Sequence, residues 1–219
     1  MAEIKLIDLK QEIMVSNDQS AAQIRRFLQE QQLKLINLMG SPGCGKTSLL
    51  LQTITHWPNL QELAVIEGDI DSLVDSEKIQ AAGALALQIN TGGACHLDAE
   101  VVQKALEDLP CSELKLIFVE NIGNLVCPAE FDIGENLKVM ILSVPEGDDK
   151  ILKYPLMFTV ADVLIINKID YLPEQDFSIS RLKERAGILN PQLKIFEVSS
   201  KTRQGIAAWI DYLQDYLKK

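Results

Sequence analysis

The sequence predicts an α/β fold with a mostly parallel, twisted sheet of about seven strands and helices on both faces. Short apolar runs rich in Ile, Leu and Val alternate with helical patterns along all 219 residues. These runs show little polar alternation, which is typical of strands that are buried on both faces of a sheet. The predicted strands are Leu35–Met39, Leu63–Ile66, Leu85–Ile89, Leu114–Val119, Leu137–Leu142, Val163–Ile166 and Leu193–Val198.

Predicted helices accompany this sheet, one of them opening at Ser48 after the first strand. A helix near Asp18–Gln31, within a helical N-terminal segment near residues 1–31, precedes the first strand. Asp98–Leu109 has its apolar residues on one side, and Gly205–Leu217 is predicted to be a closing helix. No repeat or Pro/Gly-rich linker interrupts the pattern, so we expect a single domain over residues 1–219. Parallel sheets bind ligands at the carboxyl ends of their strands, and candidate site residues are therefore sought there.

Composition narrows the class of protein. The chain has 21 Lys and Arg against 31 Asp and Glu, a formal net charge of −10 at pH 7. This acidity disfavours nucleic acid and anionic membranes as partners, because both attract basic surfaces. No apolar run reaches the roughly 18 residues that span a bilayer, and the start lacks a secretory signal. Four irregularly spaced cysteines are typical of reduced thiols, so we expect a soluble cytoplasmic protein.

A phosphate-binding loop follows the first predicted strand. Gly40-Ser41-Pro42-Gly43-Cys44-Gly45-Lys46-Thr47 matches the pattern G-x-x-x-x-G-K-[ST] at every fixed position. In such a loop the backbone N–H groups, here those of residues 43–48, point at phosphate oxygens. Lys46, expected to be an exposed cation, reaches the β- and γ-phosphates, and the Thr47 hydroxyl binds Mg²⁺. The nucleotide-binding candidates of this loop are Gly43, Cys44, Gly45, Lys46, Thr47 and Ser48, with the Cys44 side chain a small filler.

The base of the nucleotide is predicted from a second motif. Asn167-Lys168-Ile169-Asp170, after the sixth strand, matches the guanine motif N-K-x-D. A carboxylate at Asp170 accepts hydrogen bonds from both N1–H and the amine of guanine, a donor pair that adenine lacks. Asn167 braces the loop, and Ser200 and Lys201 lie in a segment resembling loops whose backbone contacts the guanine oxygen. GTP is therefore favoured over ATP.

Acidic residues after the second and fourth strands predict a magnesium site. Asp69 and Glu120 are candidates to bind Mg²⁺ together with Thr47, directly or through water. Asp75 is a candidate for positioning the attacking water, with a helix-capping or solvated aspartate as the alternative. The catalytic candidates are thus Lys46, Asp75 and Glu120. Because no Gln or His stands in an obvious catalytic place, we expect slow intrinsic hydrolysis.

Soft ligands cluster at the same predicted sheet edge. Cys95 and His96 follow the third strand and Cys127 follows the fourth, which we expect to be neighbouring strands. Two thiolates and an imidazole suit Zn²⁺, and also Ni²⁺ in planar geometry. Spacing alone leaves a purely structural role open. His56, late in the helix after the phosphate loop, and Cys111, before the fourth strand, are expected to be structural.

Further motifs carry a family resemblance from about Asn37 to Gly205. They are E-G-D-I, G-G-A-C-H-L-D-A, E-N-I-G-N-L-V-C-P, P-E-G-D-D-K-I-L-K-Y-P and N-K-I-D. With the phosphate loop, they resemble the HypB family of hydrogenase maturation GTPases, in the SIMIBI class of P-loop proteins. The resemblance implies a homodimer formed with nucleotide, nickel delivery to [NiFe]-hydrogenase, and HypA and the hydrogenase large subunit as partners. It also implies an interface metal site at Cys95, His96 and Cys127, and a lysine, here Lys153, that reaches the partner's guanine in trans.

The sequence departs from this family at its N-terminal end and leaves rival functions to be compared. No cysteine precedes Cys44 and no histidine precedes His56, so tight nickel binding or storage is not expected. A urease accessory GTPase resembles the chain in its phosphate loop but carries Cys-Pro-His as its metal element. A metal-buffering protein with incidental nucleotide binding is disfavoured by the presence of only two histidines. A signalling GTPase has no need for soft ligands.

Overall fold

The computed structural model of the chain describes residues 9–69 and 72–218. The first eight residues of the predicted N-terminal segment, and Ile70 of the E-G-D-I motif, lie outside these ranges. The strands within them are β1 (Lys34–Gly40), β2 (Leu63–Asp69), β3 (Leu85–Asn90), β4 (Leu116–Glu120), β5 (Leu137–Ser143), β6 (Val163–Asn167) and β7 (Lys194–Glu197). The α-helices are α1 (Leu9–Glu30), α2 (Lys46–His56), α3 (Val74–Ala81), α4 (Ala99–Glu107), α5 (Cys127–Glu130), α6 (Lys150–Lys153), α7 (Pro155–Val160), α8 (Ile179–Leu189) and α9 (Ile206–Leu217).

The seven strands form one sheet in the order β3-β2-β4-β1-β5-β6-β7, and every neighbouring pair is parallel. The predicted fold class is confirmed. β1 occupies the centre, with β4 on one side and β5 on the other. β3 is an edge strand, and β2 separates it from β4. The expectation that the third and fourth strands are neighbours is therefore wrong.

Side chains alternate between the two faces of the sheet, which explains the apolar composition of the strands. On β1, Ile36 and Leu38 are fully buried in a core that also contains Leu50 of α2 and Trp209 of α9. Leu35 faces the opposite side, in a core formed with α1 and α4. A third core lies under α7 and α8. No helix among the described residues has the length and hydropathy that a membrane span requires.

The N-terminal helix is longer than predicted, since α1 spans Leu9–Glu30 rather than beginning near Asp18. The helix continues through Asn17 and Asp18, and Asn17 makes tertiary hydrogen bonds from within it. Its Nδ2 donates to the Asp132 carbonyl at 2.8 Å, and its Oδ1 accepts from the Ala99 N–H at 2.9 Å. Asn17 thereby anchors α1 to the start of α4.

Candidate nucleotide and metal site

A cavity of about 500 Å³ opens at the carboxyl edge of the sheet, between the phosphate loop and the ends of β2 and β4. The sequence-predicted residues that line it are Gly43, Gly45, Lys46, Thr47, Ser48, Asp69, Asp75 and Glu120. They come from three segments that are distant in sequence: residues 43–48, residues 69–75 and Glu120. The parallel topology brings these segments to one edge of the sheet.

The phosphate loop connects β1 to α2 through a turn that requires glycine. Gly45 has φ +99°, and a Cβ atom at this position would lie 2.4 Å from Asn167 Nδ2. Asn167 Nδ2 donates to the Cys44 carbonyl at 3.1 Å, so the guanine motif also braces the phosphate loop. The Cys44 side chain lies beneath the loop in the hydrophobic core.

Lys46 is buried, contrary to the expectation of an exposed cation, with 7% of its surface accessible. It is the first residue of α2, and the positive charge of its side chain lowers the pKa values of Glu67 and Glu120. The side chain of the next residue, Thr47, lies beside two carboxylates. Thr47 Oγ1 lies 3.0 Å from Glu120 Oε1 and 3.3 Å from Asp75 Oδ2. Two of the three catalytic candidates, Asp75 and Glu120, thus lie near the Thr47 hydroxyl, and Lys46 lines the same cavity.

Glu67 is a member of this cluster that sequence reasoning missed. The β2–β4 register places Glu67 directly opposite Glu120, and both side chains are buried. Burial raises the pKa of both carboxyls, and the charge of Glu120 raises that of Glu67 further. Glu67 Oε1 and Glu120 Oε2 are buried and have no hydrogen-bond partner among the described residues. Both residues line the cavity that Thr47 also lines, and two such carboxylate oxygens are a suitable donor set for a hard divalent cation.

A second cavity of about 200 Å³ adjoins the phosphate loop and is lined by Asn167, Lys168, Asp170, Ser200 and Lys201, among others. Asp170 Oδ1 accepts a hydrogen bond from Ser199 Oγ at 2.6 Å. The Lys168 ammonium donates to the Gly43 carbonyl at 2.6 Å, so its stem crosses from the guanine motif to the phosphate loop. Asn167 Oδ1 accepts from the backbone N–H of Ser200 at 3.2 Å. Hydrogen bonds thus connect the phosphate loop, the guanine motif and the segment around Ser200.

Cys95, His96 and Cys127 converge into a cluster in which one ligand atom from each lies within 4.8 Å of the others. The two sulfur atoms are 3.0 Å apart, and Cys95 Sγ lies 3.4 Å from His96 Nδ1. The His96 ring packs on Phe131, with centroids 4.0 Å apart, and burial lowers its pKa. A lowered pKa favours the neutral imidazole, which is the form that binds metals.

The segment carrying Cys95 and His96 reaches Cys127 by crossing the end of β2. Leu97 is buried against Gly68, where an added Cβ would lie 2.7 Å from the Leu97 side chain. The Leu97 N–H donates to Asn121 Oδ1 at 3.1 Å. Two contacts therefore fix the chain immediately after His96.

Lys153, the candidate for contact in trans, lies at the end of α6 and is exposed. Its ammonium pairs with Asp149 one helical turn earlier, at 2.6 Å. It lines neither of the two cavities described above. Of the residues expected to be structural, His56 ends α2, where its Nδ1 lies 2.8 Å from the Gln52 carbonyl.

The four cysteines are expected to differ sharply in reactivity at pH 8. Iodoacetamide should modify exposed Cys95 and half-buried Cys127 but spare buried Cys44 and Cys111. The thiolate is the reactive form, and burial raises the pKa of Cys44 to about 11, so raising the pH from 7 to 9 leaves it a thiol. The Cys95 pKa is also raised, by its hydrogen bond to Cys127. The expected difference in reactivity between Cys95 and the buried cysteines therefore comes from solvent exposure. Peptide mass spectrometry before and after urea denaturation measures this, and rapid native labelling of Cys44 would contradict its placement.

Comparison with known proteins identifies the family. Residues 34–197 match the model of the CobW/HypB/UreG nucleotide-binding domain. The hydrogenase maturation factor HypB of Rhizobium leguminosarum bv. viciae is 45% identical over 98% of this chain and 72% of its own length. HypB of Archaeoglobus fulgidus superposes with a TM-score of 0.86 at 38% identity, over 93% of this chain and 99% of that one. HypB of Helicobacter pylori, in complex with nickel, superposes with a TM-score of 0.88 at 36% identity, over 93% of this chain and 95% of that one. The chain belongs to the HypB family of hydrogenase maturation factors, within the CobW/HypB/UreG group of P-loop nucleotide-binding proteins.

Proposed function

We propose that this chain is a cytoplasmic GTP-hydrolysing metallochaperone that helps insert nickel into [NiFe]-hydrogenase, and that residues 1–219 act as one GTPase domain. The observation that carries the proposal is the seven-residue path from Glu120 in the nucleotide cavity to Cys127 in the soft-ligand cluster. One segment belongs to both sites. The nickel complex of the H. pylori relative supports nickel as the cargo, with Zn²⁺ as the other candidate.

In this proposal, hydrolysis uses the charges around Thr47. Lys46 and the backbone N–H groups of residues 43–48 bind the β- and γ-phosphates. Thr47, Asp69 and Glu120 would hold Mg²⁺, which supplies positive charge at the phosphates when bound. Asp75 is the candidate for orienting water, since its carboxylate lies 3.3 Å from the Thr47 hydroxyl. We expect slow turnover because the group that would activate water is a partly exposed carboxylate with an ion-pair partner of its own, Lys78.

Guanine recognition follows from the second cavity. Asp170 accepts from the two donors of the guanine edge, and Ser199 holds its carboxylate in place. Asn167 supports the phosphate loop through its hydrogen bond to the Cys44 carbonyl. Ser200 and Lys201 border the cavity that the base would enter. These contacts favour GTP over ATP because an adenine edge lacks the two donors that Asp170 would accept from guanine.

Metal transfer requires a site that changes with nucleotide state. Cys95, His96 and Cys127 supply three ligands, which leaves a coordination position for water or for a ligand from a facing subunit. We propose a homodimer that forms with nucleotide around this site, in which Lys153 exchanges its exposed pairing with Asp149 for the partner's guanine. HypA and the hydrogenase large subunit are the proposed donor and acceptor of nickel.

Coupling between the two sites is the central test of this function. Nickel affinity is expected to differ by about fivefold or more between GDP-bound protein and protein bound to a non-hydrolysable GTP analogue. Any movement of Glu120 when the γ-phosphate binds displaces Cys127 through the connecting segment. Calorimetric titration of metal-free protein measures both affinities, and Cys127→Ala should remove most of the difference. Linkage requires nickel to change the ratio of GTP-analogue affinity to GDP affinity by the same factor.

The control for this experiment is Cys111→Ala, which removes a cysteine that lies outside the soft-ligand cluster and should leave the difference in place. Identical nickel isotherms in both nucleotide states would mean that the cluster is a passive structural site. A stoichiometry of several metal ions per chain, independent of nucleotide, would favour the metal-buffering alternative.

A further inference from the structure

Asn124 connects three segments through three hydrogen bonds. Its backbone N–H donates to the Gly40 carbonyl, at the end of β1, at 3.1 Å. Its side-chain Nδ2 donates to the Cys95 carbonyl at 3.1 Å, and its Oδ1 accepts from the Val126 N–H at 2.9 Å. A single residue therefore touches the root of the phosphate loop, the segment carrying Cys95, and the residue before Cys127.

The backbone around Asn124 is fixed to the phosphate loop. Gly40 and Asn124 form an isolated antiparallel bridge beyond the end of the parallel ladder. Gly123 packs against Pro42 so closely that an added Cβ would lie 2.7–2.9 Å from ring and backbone atoms of that proline. Because both contacts involve main chain, a displacement of the phosphate loop is carried directly to Asn124.

The segments that carry Cys95 and Cys127, which Asn124 joins, are exposed on their solvent-facing sides. Gly92, Gly93, Ala94 and Cys95 are all exposed, and Val126 has 50% of its surface accessible. Exposed turns of this kind have few packing contacts to fix the position of a ligand atom. The Leu97–Asn121 hydrogen bond secures the His96 side of the loop. Asn124 supplies the corresponding tether on the Cys95 side.

We propose that Asn124 is a positioning residue of the metal site, which sets the spacing of the Cys95 and Cys127 thiols from the phosphate loop. The proposal rests on the function proposed above and adds the element that holds the ligand pair together. Groups that orient metal ligands through hydrogen bonds commonly change metal affinity by about 10- to 100-fold when removed.

Two substitutions at Asn124 test its hydrogen bond to the Cys95 carbonyl. Asn124→Ala removes both side-chain hydrogen bonds. Asn124→Ser keeps a short acceptor for the Val126 N–H, as serine does in similar turns, but cannot reach the Cys95 carbonyl. In titrations with NiCl₂ alone, both variants should bind nickel about 10- to 100-fold more weakly. Asn190→Ala, which removes a side chain that bonds the Ala161 carbonyl at 2.8 Å outside the metal cluster, should retain wild-type affinity.

A double-mutant cycle separates positioning from general destabilisation. In the Cys127→Ala background the thiol pair is gone, so Asn124→Ala should cause no further loss of nickel affinity. An equal loss of nickel affinity in both backgrounds would overturn the proposal. If Cys127→Ala binds nickel weakly but Asn124→Ala or Asn124→Ser binds it with wild-type affinity, the proposal is also overturned.

A metal-free readout keeps the inference distinct from the proposed function. Phenylarsine oxide forms two As–S bonds with a close thiol pair and releases water, so its capture rate reports the thiol spacing. Asn124→Ala and Asn124→Ser should slow capture, whereas Asn190→Ala should not. If Cys127→Ala leaves nickel binding unchanged, the proposed metal site fails, and the arsenical rate still decides the role of Asn124. Wild-type capture rates in both Asn124 variants would overturn the inference.

Discussion

Lys46→Ala is expected to lower GTP hydrolysis by about 100- to 1000-fold at saturating GTP. The substitution removes the ammonium group that would stabilise charge developing on the γ-phosphate. In the nucleotide-free protein this group also offsets the buried carboxyls of Glu67 and Glu120, whose pKa values it lowers. Without it, those carboxyls take up protons more readily, so the variant keeps its fold at some cost in stability. Phosphate release measures the rate, and circular dichroism on the same sample measures the fold.

The control for Lys46 is Lys115→Ala. Lys115 is an exposed lysine that pairs with Glu62 and lies outside the nucleotide cavity. It should turn over GTP at the wild-type rate. Lys46→Arg retains the charge but not the compact ammonium, and it should recover little activity if Lys46 contacts phosphate directly. Wild-type turnover in Lys46→Ala would refute the assignment of the phosphate loop.

Asp170→Asn is expected to weaken GTP binding by about 100-fold and to shift preference towards xanthosine nucleotides. A hydrogen bond to a charged acceptor contributes about 1.5–3 kcal/mol, and the substitution replaces one with an amide facing an amine. The same amide complements the second carbonyl of xanthine. Ser199 Oγ donates to Asp170 Oδ1 in the wild type and should donate to the amide oxygen of the variant, which preserves the geometry. Competition of GTP and XTP against a fluorescent nucleotide measures both affinities.

A matched control is Asp176→Asn, which makes the same change at an exposed position beyond the guanine motif. It should leave both affinities unchanged. Unchanged GTP affinity in Asp170→Asn would mean that this carboxylate does not face the base, and the choice of GTP over ATP would lose its physical basis.

The parts of the fold that sequence predicted well depend on local information. Strands buried on both faces must be apolar throughout, and the run Leu137–Leu142 accordingly matches β5 to within one residue. The phosphate loop and the guanine motif likewise define their own turns, through the φ of +99° at Gly45 and of +59° at Lys168. No tertiary contact is needed to recognise either pattern.

The features that sequence missed depend on tertiary pairing. Glu67 joins the acidic cluster only because the β2–β4 register sets it opposite Glu120, and no spacing within either strand indicates that register. Lys46 is buried by groups from other segments. The start of α1 before Asp18 was also missed, and Asn17 within this helix bonds to residues 99 and 132. The soft-ligand cluster was predicted because strand ends converge, although the strand order assumed for it was wrong.

The position of β3 at the sheet edge means that the sheet holds the two segments of the soft-ligand cluster with different firmness. Cys127 follows β4, which is paired on both sides and buried along its whole length. Cys95 follows β3, which pairs only with β2 and is exposed at both ends. Edge strands open locally at a lower free energy than central strands, which open only with the whole domain. The Cys127 segment is therefore expected to be the more rigid of the two. Under the proposed function, local opening of β3 would release nickel from the Cys95 side while the strands around the nucleotide cavity stay folded.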